Sequence, residues 1–161
     1  MKEIIRKKND PILRAKTEPV TEALPPAELK RIIEMMRATL EAEEDGVALA
    51  APQVGLALRI FVVSPKANPE GKTGLPTVFI NPRIMKQSRR QVELVEGCLS
   101  VRHIYGHIKR REKVTVEATD ETGRLFTRHT SGLMAQIVQH EIDHLDGILF
   151  TDKAYDLTEV K

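Results

Sequence analysis

The length, composition and charge of this chain describe an ordinary globular protein. Its 161 residues suit one domain with a sizeable core, and 41% apolar and 30% charged residues are typical values. A net charge of +2 gives no electrostatic footprint for nucleic acid, and no apolar run is long enough to span a membrane. The start lacks a secretory signal, and the single cysteine excludes an intrachain disulfide, so we expect a cytoplasmic protein.

Apolar periodicity and turn residues predict the elements of the first half of the chain. An amphipathic helix should begin at Pro26 and continue to about residue 45, because apolar residues recur at helical spacing. The small residues of 46–55 predict a tight loop that another backbone or a ligand can approach closely. A buried strand is predicted over 58–63, and a polar loop over 68–74.

The second half alternates between short strands and turns until a last helix. Strands are predicted at 78–80 and 92–95, and 113–118 should pair with 125–128 as a hairpin. A buried helix follows, and then a short polar tail. These elements predict an α+β fold in which short, mostly antiparallel strands surround a buried C-terminal helix, as one catalytic domain over 1–161.

The last helix carries the pattern His-Glu-x-x-His, from His140 to His144. In a helix the two histidines lie one turn apart on one face, with Glu141 on its flank. The helix is apolar over most of its circumference, which places both histidines towards the core. Buried imidazoles need partners, and two of them at this spacing can share one divalent metal ion.

A catalytic metal site needs a third protein ligand and an open position for water. The residues alone leave this ligand open among Cys98, the other histidines and many carboxylates. His103, His107 and His129 stand in polar or strand-edge contexts that are typical of solvated side chains. A lone cysteine is by itself more often a small buried hydrophobic residue than a ligand.

Three stretches, in this order, resemble the three motifs of the peptide deformylases. They are Gly46–Gln53 (GVALAAPQ), Glu96–Ser100 (EGCLS) and Gln139–Gly147 (QHEIDHLDG). The segments Asp10–Arg14 and Asp120–Gly123 are also similar to that family, so that the resemblance covers nearly the whole chain.

The resemblance implies an enzyme that removes the N-formyl group from the starting methionine of newly made polypeptides of bacterial type. It implies one divalent metal ion, with Fe(II) favoured and Zn(II), Ni(II) or Co(II) also compatible with the ligands. The implied partners are formyl-methionine nascent peptides at the ribosome, with no direct nucleic-acid site and no membrane, and we expect a monomer.

The resemblance also implies a role for individual residues. The implied metal ligands are Cys98, His140 and His144, with water as the fourth ligand. Glu141 would act as general base, and the Leu99 backbone N–H and the Gln53 side chain would stabilise the oxyanion. Gly46, Ala48 and Gly97 would line the substrate cleft. Glu96 has no metal role in this reading and is expected to pair with Arg110 as structural support.

The chain departs from the family at two places. The family usually has glycine where this chain has Ala48, and it often has Pro-Gly or Pro-x where this chain has Arg102-His103. A positive φ at Ala48 would strain the backbone, whereas a negative φ would direct its methyl group to the cleft wall. Neither departure removes a ligand, the base or an oxyanion donor, so they bear on rate and substrate preference.

Two other functions compete with deformylation. A zinc metallopeptidase shares His-Glu-x-x-His, but such enzymes generally take the third ligand from histidine or glutamate, and Cys98 counts against that class. A non-catalytic relative that binds formyl peptides or the ribosome would be favoured by the loss of Glu141 or Gln53, and both residues are present.

Overall fold

The computed structural model describes residues 2–67 and 74–161. The predicted polar loop over 68–74 therefore lies outside the described residues, except for Gly74. The helices are α1 (Pro11–Arg14), α2 (Pro26–Glu41) and α3 (Gly132–Leu145), with single 3-10 turns at Ala51–Val54, Pro65–Ala67 and Phe150–Asp152. The strands are β1 (Ala48–Ala50), β2 (Ile60–Val63), β3 (Val78–Gln87), β4 (Gln91–Cys98), β5 (Val101–Arg111), β6 (Lys113–Thr119), β7 (Leu125–Ser131) and β8 (Tyr155–Glu159).

The strands form two antiparallel sheets. The larger sheet has the order β1-β2-β3-β6-β7, and the smaller one has the order β4-β5-β8. The expected α+β fold, with mostly antiparallel strands and a C-terminal helix, is confirmed. No helix in the described part of the chain has the length and apolar character needed to cross a membrane.

The larger sheet is covered by a helix on each face. Phe61 and Val63 belong to the core cluster shared with α3, whereas Ile60 and Val62 belong to the cluster shared with α2. Successive side chains of a strand point to opposite faces, so β2 is buried on both sides. This double burial explains why the sequence of β2 is a continuous apolar run rather than an alternating one.

Helix α3 is buried because it lies between the two sheets. It packs against β1, β6 and β7 of the larger sheet and against β5 of the smaller one. Nine of its 14 residues are buried, including Glu141 and His144. The expected buried C-terminal helix is therefore present.

Three strands were not predicted from the sequence. Residues Ala48–Ala50 were expected in a tight loop, but they form β1 at one edge of the larger sheet. Residues 101–111 carry many charged and polar side chains, yet they form β5, the central strand of the smaller sheet. The sequence indicated only a short polar tail after the last helix, whereas Tyr155–Glu159 form β8 at the sheet edge with all five residues exposed. These strands are explained by backbone pairing, β1 with β2 and β5 with β4 and β8, which periodicity along one segment does not reveal.

Gly147 ends α3 at a point where no side chain fits. Its φ is +76°, and an added Cβ would overlap the carbonyl oxygen of Arg14 and lie 2.7 Å from its carbonyl carbon. We expect Gly147→Ala to lower the free energy of unfolding by about 2–4 kcal/mol, since left-handed strain and overlap with backbone atoms add together. Thermal unfolding should show a Tm lower by roughly 4–16 °C.

Gly123 provides a matched control for this variant. Its φ is +85°, but an added Cβ would meet nothing within 4 Å. Gly123→Ala should therefore cost only the backbone strain, about 1 kcal/mol, and lower the Tm by roughly 2–4 °C. Equal losses of Tm in the two variants would mean that the close approach of Arg14 to Gly147 has no energetic consequence.

Candidate metal centre and active site

Helix α3 brings His140, Glu141 and His144 to the junction of the two sheets. The two imidazole rings lie one helical turn apart, with centroids separated by 5.0 Å and planes inclined at 67°. His144 is 1% exposed and Glu141 is 4% exposed. The expected inward orientation of the histidine face is therefore present in the structure.

Cys98 reaches this cluster from the smaller sheet. It is the last residue of β4, before a two-residue turn into β5, and its Sγ lies 3.2 Å from His144 Nε2. One ligand atom from each of Cys98, His140 and His144 lies within 4.8 Å of the other two. The fold thus joins a thiol to two imidazoles that are more than 40 residues away along the chain.

The charges of this cluster favour a thiolate. Burial raises the pKa of the Cys98 thiol, but the charge of His144 and hydrogen bonds with both imidazoles hold that pKa well below its usual range. Burial lowers the pKa of His140, whereas hydrogen bonds with Cys98 and Glu96 and the charges of Cys98 and Glu141 raise that pKa well above its usual range. Thiolate is the form in which cysteine binds a metal ion.

The donor set fits one divalent metal ion. A thiolate and two imidazoles, close enough to share one ion, suit Fe(II), Zn(II), Ni(II) or Co(II). Beside them, Glu141 Oε2 is buried and has no hydrogen-bond partner among the described residues. Burial also raises the pKa of Glu141, although the nearby imidazoles oppose this effect. An acceptor of this kind next to three ligands is placed to bind a water molecule.

Glu96 and Arg110 form a buried support for His140. Glu96 Oε1 accepts a hydrogen bond from His140 Nδ1 at 2.7 Å, and its two oxygens pair with Arg110 at 2.7 and 2.8 Å. The predicted pairing of Glu96 with Arg110 is thus confirmed. Burial opposes ionisation of Glu96, but Arg110 and His140 lower its pKa to about 2. The bond to Nδ1 leaves His140 Nε2 facing the cluster, which fixes the ring for metal binding.

Gln53 is held rigidly beside Cys98. Its side-chain oxygen accepts a hydrogen bond from the Ala50 N–H at 2.9 Å, and its Nε2 donates to Ser100 Oγ at 3.1 Å. The same Nε2 lies 3.7 Å from Cys98 Sγ. Gln53 and Ser100 are each 1% exposed. Sequence reasoning gave Ser100 no role, although its place inside the second motif, two residues after Cys98, was the available signal.

A cleft of about 430 Å³ opens onto these residues. Its wall includes the implied site residues Gln53, Ala48, Gly97, Cys98, Leu99, His140 and Glu141. Apolar side chains of Val47, Val95, Leu133 and Ile137 form much of the remaining wall. Gly46 is not part of this wall, although its two neighbours are, and an added Cβ at Gly46 would instead meet Leu40.

The two departures from the family pattern have different structural consequences. Ala48 is in the extended strand β1, and its buried methyl group belongs to the core cluster and the cleft wall. Among the described non-glycine residues, positive φ occurs only at Asn81, His103 and Asp156, so Ala48 carries no such strain. His103 has a φ of +65°, the left-handed region that glycine tolerates best, which explains why glycine suits this position.

Comparisons with known proteins agree with this geometry. A family model described as polypeptide deformylase matches residues 1–160. Peptide deformylase 2 of Clostridium acetobutylicum is 44% identical over 149 residues, 92% of each chain. The crystal structure of peptide deformylase from Thermotoga maritima is similar with a TM-score of 0.83, at 35% identity over 96% of this chain and 98% of that chain.

A Met-Ala-Ser-bound crystal structure of a class I type b peptide deformylase from Acinetobacter baumannii is also similar. Its TM-score is 0.84, at 32% identity over 95% of this chain and 98% of that chain. The family match over residues 1–160, and relatives above 30% identity over nearly their full lengths, lead to one conclusion. This chain belongs to the peptide deformylase family.

Proposed function

We propose that residues 1–161 form a single catalytic domain that uses the cluster around Cys98 for deformylation. Family membership identifies a metal-dependent hydrolase that removes the N-formyl group from newly made polypeptides. The observation that carries the assignment of residues is the convergence of Cys98, His140 and His144, together with the cleft that Cys98, His140 and Glu141 line. We further propose a cytoplasmic monomer that meets nascent chains at the ribosome.

Cys98, His140 and His144 would hold the metal ion, which we propose to be Fe(II). A divalent metal bound there supplies Lewis-acid chemistry, because it lowers the pKa of water and polarises the formyl oxygen. Glu96 keeps His140 in the required orientation through its 2.7 Å bond to Nδ1. Arg110 in turn keeps Glu96 ionised, so that this support remains in place.

Glu141 would move the proton during hydrolysis. Its carboxylate takes a proton from the attacking water and passes it to the nitrogen that leaves as the methionine α-amine. The formyl C–N bond breaks, and the products are formate and a peptide with a free amino terminus. Glu141 suits this role because it lines the cleft while helix α3 fixes it between two ligands.

Gln53 and Leu99 would stabilise the negative charge that develops on the formyl oxygen. The Gln53 amide is oriented by Ala50 and Ser100, so its Nε2 needs little reorganisation to donate. Leu99 lines the same cleft and follows Cys98 directly, which brings its backbone N–H next to the proposed ligand. Donors arranged before the reaction lower the barrier because they require no reorientation as charge develops.

The apolar part of the cleft would bind the methionine side chain. Val47, Leu133 and Ile137 offer surfaces with no charge, and a thioether side chain packs well on such surfaces. The relative with bound Met-Ala-Ser supports a peptide of this kind as the ligand. Ala48 adds a methyl group to the same wall and would contact the substrate there.

Anaerobic purification, metal analysis and a formate assay test this proposal. We expect the metal-loaded protein to release formate from formyl-Met-Ala-Ser and to leave the Met-Ala bond intact. Cleavage of an internal peptide bond would indicate a metallopeptidase instead. Tight peptide binding without turnover at full metal occupancy would indicate a non-catalytic relative.

A further inference from the structure

Residues 4–6 connect the two segments that carry the proposed oxyanion donors. Ile4 is buried in the core cluster that contains Val54, next to Gln53 in the chain, and the Ile5 N–H donates to the Gln53 carbonyl at 2.8 Å. Ile5 also packs against the separate cluster of the smaller sheet, which Cys98 contacts. This short segment therefore touches the supports of both Gln53 and Leu99.

Arg6 completes the connection with its guanidinium group. Nη1 donates to the Leu99 carbonyl oxygen at 2.7 Å, and Nη2 donates to Glu43 Oε1 at 2.9 Å. Glu43, just beyond α2, is also paired with Arg102 of β5. Because one nitrogen is held by a carboxylate, the planar guanidinium presents the other to Leu99 in a fixed direction.

We propose that Arg6 is a positioning residue for deformylation. It fixes the turn between β4 and β5, and thereby the Leu99 N–H that stabilises the oxyanion. Leu99 belongs to the cleft wall, whereas Arg6 is not among the residues that form it, so Arg6 acts through Leu99 rather than on the substrate. This inference rests on the proposed function of the site.

The structure explains why this turn needs a tether. Gln53 follows β1 of the larger sheet, while Leu99 lies between β4 and β5 of the smaller sheet. The contacts that connect these two segments include those of Gln53 with Ser100 and Cys98 and that of Arg6 with Leu99. A displacement of about 1 Å at an oriented catalytic group can cost around 10²-fold in rate.

We expect Arg6→Met to lower kcat about tenfold, because the contacts of Gln53 with Ser100 and Cys98 remain, and to change KM less than about threefold. Methionine keeps much of the aliphatic stem but cannot donate to Leu99. In the zinc-loaded, leucine-¹⁵N-labelled protein, the backbone amide signal of Leu99 should shift in Arg6→Met. The metal content per chain should equal that of the unsubstituted protein.

Arg14→Met is the matched control. Arg14 pairs with Asp152 through two bonds of 2.6 and 3.1 Å, and its side chain is about as exposed as that of Arg6. This variant should keep kcat within twofold and leave the Leu99 signal in place. Arg6→Lys retains one donor for the Leu99 carbonyl, and its kcat should lie between those of Arg6→Met and the unsubstituted protein.

Several results would overturn the role of Arg6. They are an unchanged kcat in Arg6→Met, a loss confined to KM, an equal loss in Arg14→Met, or an Arg6→Lys variant no better than Arg6→Met. If Arg6→Met does not fold, Arg6→Lys and the Leu99 signal decide the question. If the unsubstituted protein releases no formate, the proposed function fails, and the Leu99 signal still tests the tether separately.

Discussion

In the Glu141→Gln variant we expect kcat for formate release to fall about 10²–10⁴-fold while the protein keeps one metal ion per chain. Glutamine has nearly the same shape as glutamate and can occupy the same buried position in α3. Its amide, however, cannot accept a proton from water or return one to the leaving nitrogen. The variant therefore removes the proton carrier without opening a cavity.

The environment of Glu141 explains why this loss should be large. Glu141 Oε2 has no hydrogen-bond partner among the described residues. Glu141 lines the same cleft as Cys98 and His140. Glu96, the acidic side chain hydrogen-bonded to His140, is already paired with Arg110 and is therefore not available to replace Glu141. Steady-state kinetics with formyl-Met-Ala-Ser, at equal metal occupancy, measure the effect.

Glu117→Gln is the control for the loss of a carboxylate. Glu117 pairs with Arg83 at 3.2 Å on the larger sheet and is not part of the cleft wall. We expect it to keep kcat within about twofold, since exposed ion pairs contribute little. A metal-loaded Glu141→Gln protein with a kcat near that of the unsubstituted chain would refute the base role.

The sequence predicted the catalytic helix well because its signals are local. Apolar periodicity and the spacing of His140 and His144 both depend on residues within a few turns of one helix. The end of the helix at Gly147 also depends on a local signal, since a glycine after the last periodic residue is typical of a helix end. The structure has it there with a φ of +76°.

Contacts between distant segments were not predictable in the same way. Arg6 and Leu99 are 93 positions apart, and nothing in either neighbourhood indicates the other. Strand β5 was missed because it is rich in charged and polar residues, and one of these, Arg110, is buried against Glu96. Such charged residues are typical of exposed loops. The segment forms a strand because its backbone pairs with β4 and β8.

The left-handed backbone of His103 was also not predictable from the local sequence. The sequence showed that histidine replaces a common glycine, but the value of φ depends on how β5 leaves the turn after Cys98. At Ala48, where alanine replaces a common glycine, the backbone is an ordinary extended strand, so the substitution causes no backbone strain. The same kind of substitution therefore has different consequences, which the local backbone decides.

Removal of Cys98, one of the three proposed ligands, should strongly weaken metal binding. We expect Cys98→Ala to weaken metal affinity on the order of 10²-fold or more, because even partners outside the ligand shell can contribute 10–100-fold. The argument rests on the three ligand atoms within 4.8 Å of one another and on the 3.2 Å contact between Cys98 Sγ and His144 Nε2. Alanine leaves two imidazoles, which cannot complete a tetrahedral site without further water.

The Co(II)-substituted protein provides a direct measurement. Thiolate coordination to Co(II) gives a sulfur-to-metal absorption band, so Cys98→Ala should lose that band together with metal occupancy. His140→Ala should also lose occupancy, since it removes an imidazole from the same cluster. His129→Ala is the matched control, because His129 is exposed on β7, where its Nδ1 bonds to Thr115 Oγ1.

His129→Ala should keep the occupancy and the spectrum of the unsubstituted protein, which separates loss of a ligand from loss of any histidine. The contrast between Cys98→Ala and His129→Ala also excludes a general loss of folding, provided that both unfold cooperatively above room temperature. If Cys98→Ala keeps full occupancy and an unchanged Co(II) spectrum, the thiolate is not a ligand. The third protein ligand must then come from outside the cluster of Cys98, His140 and His144.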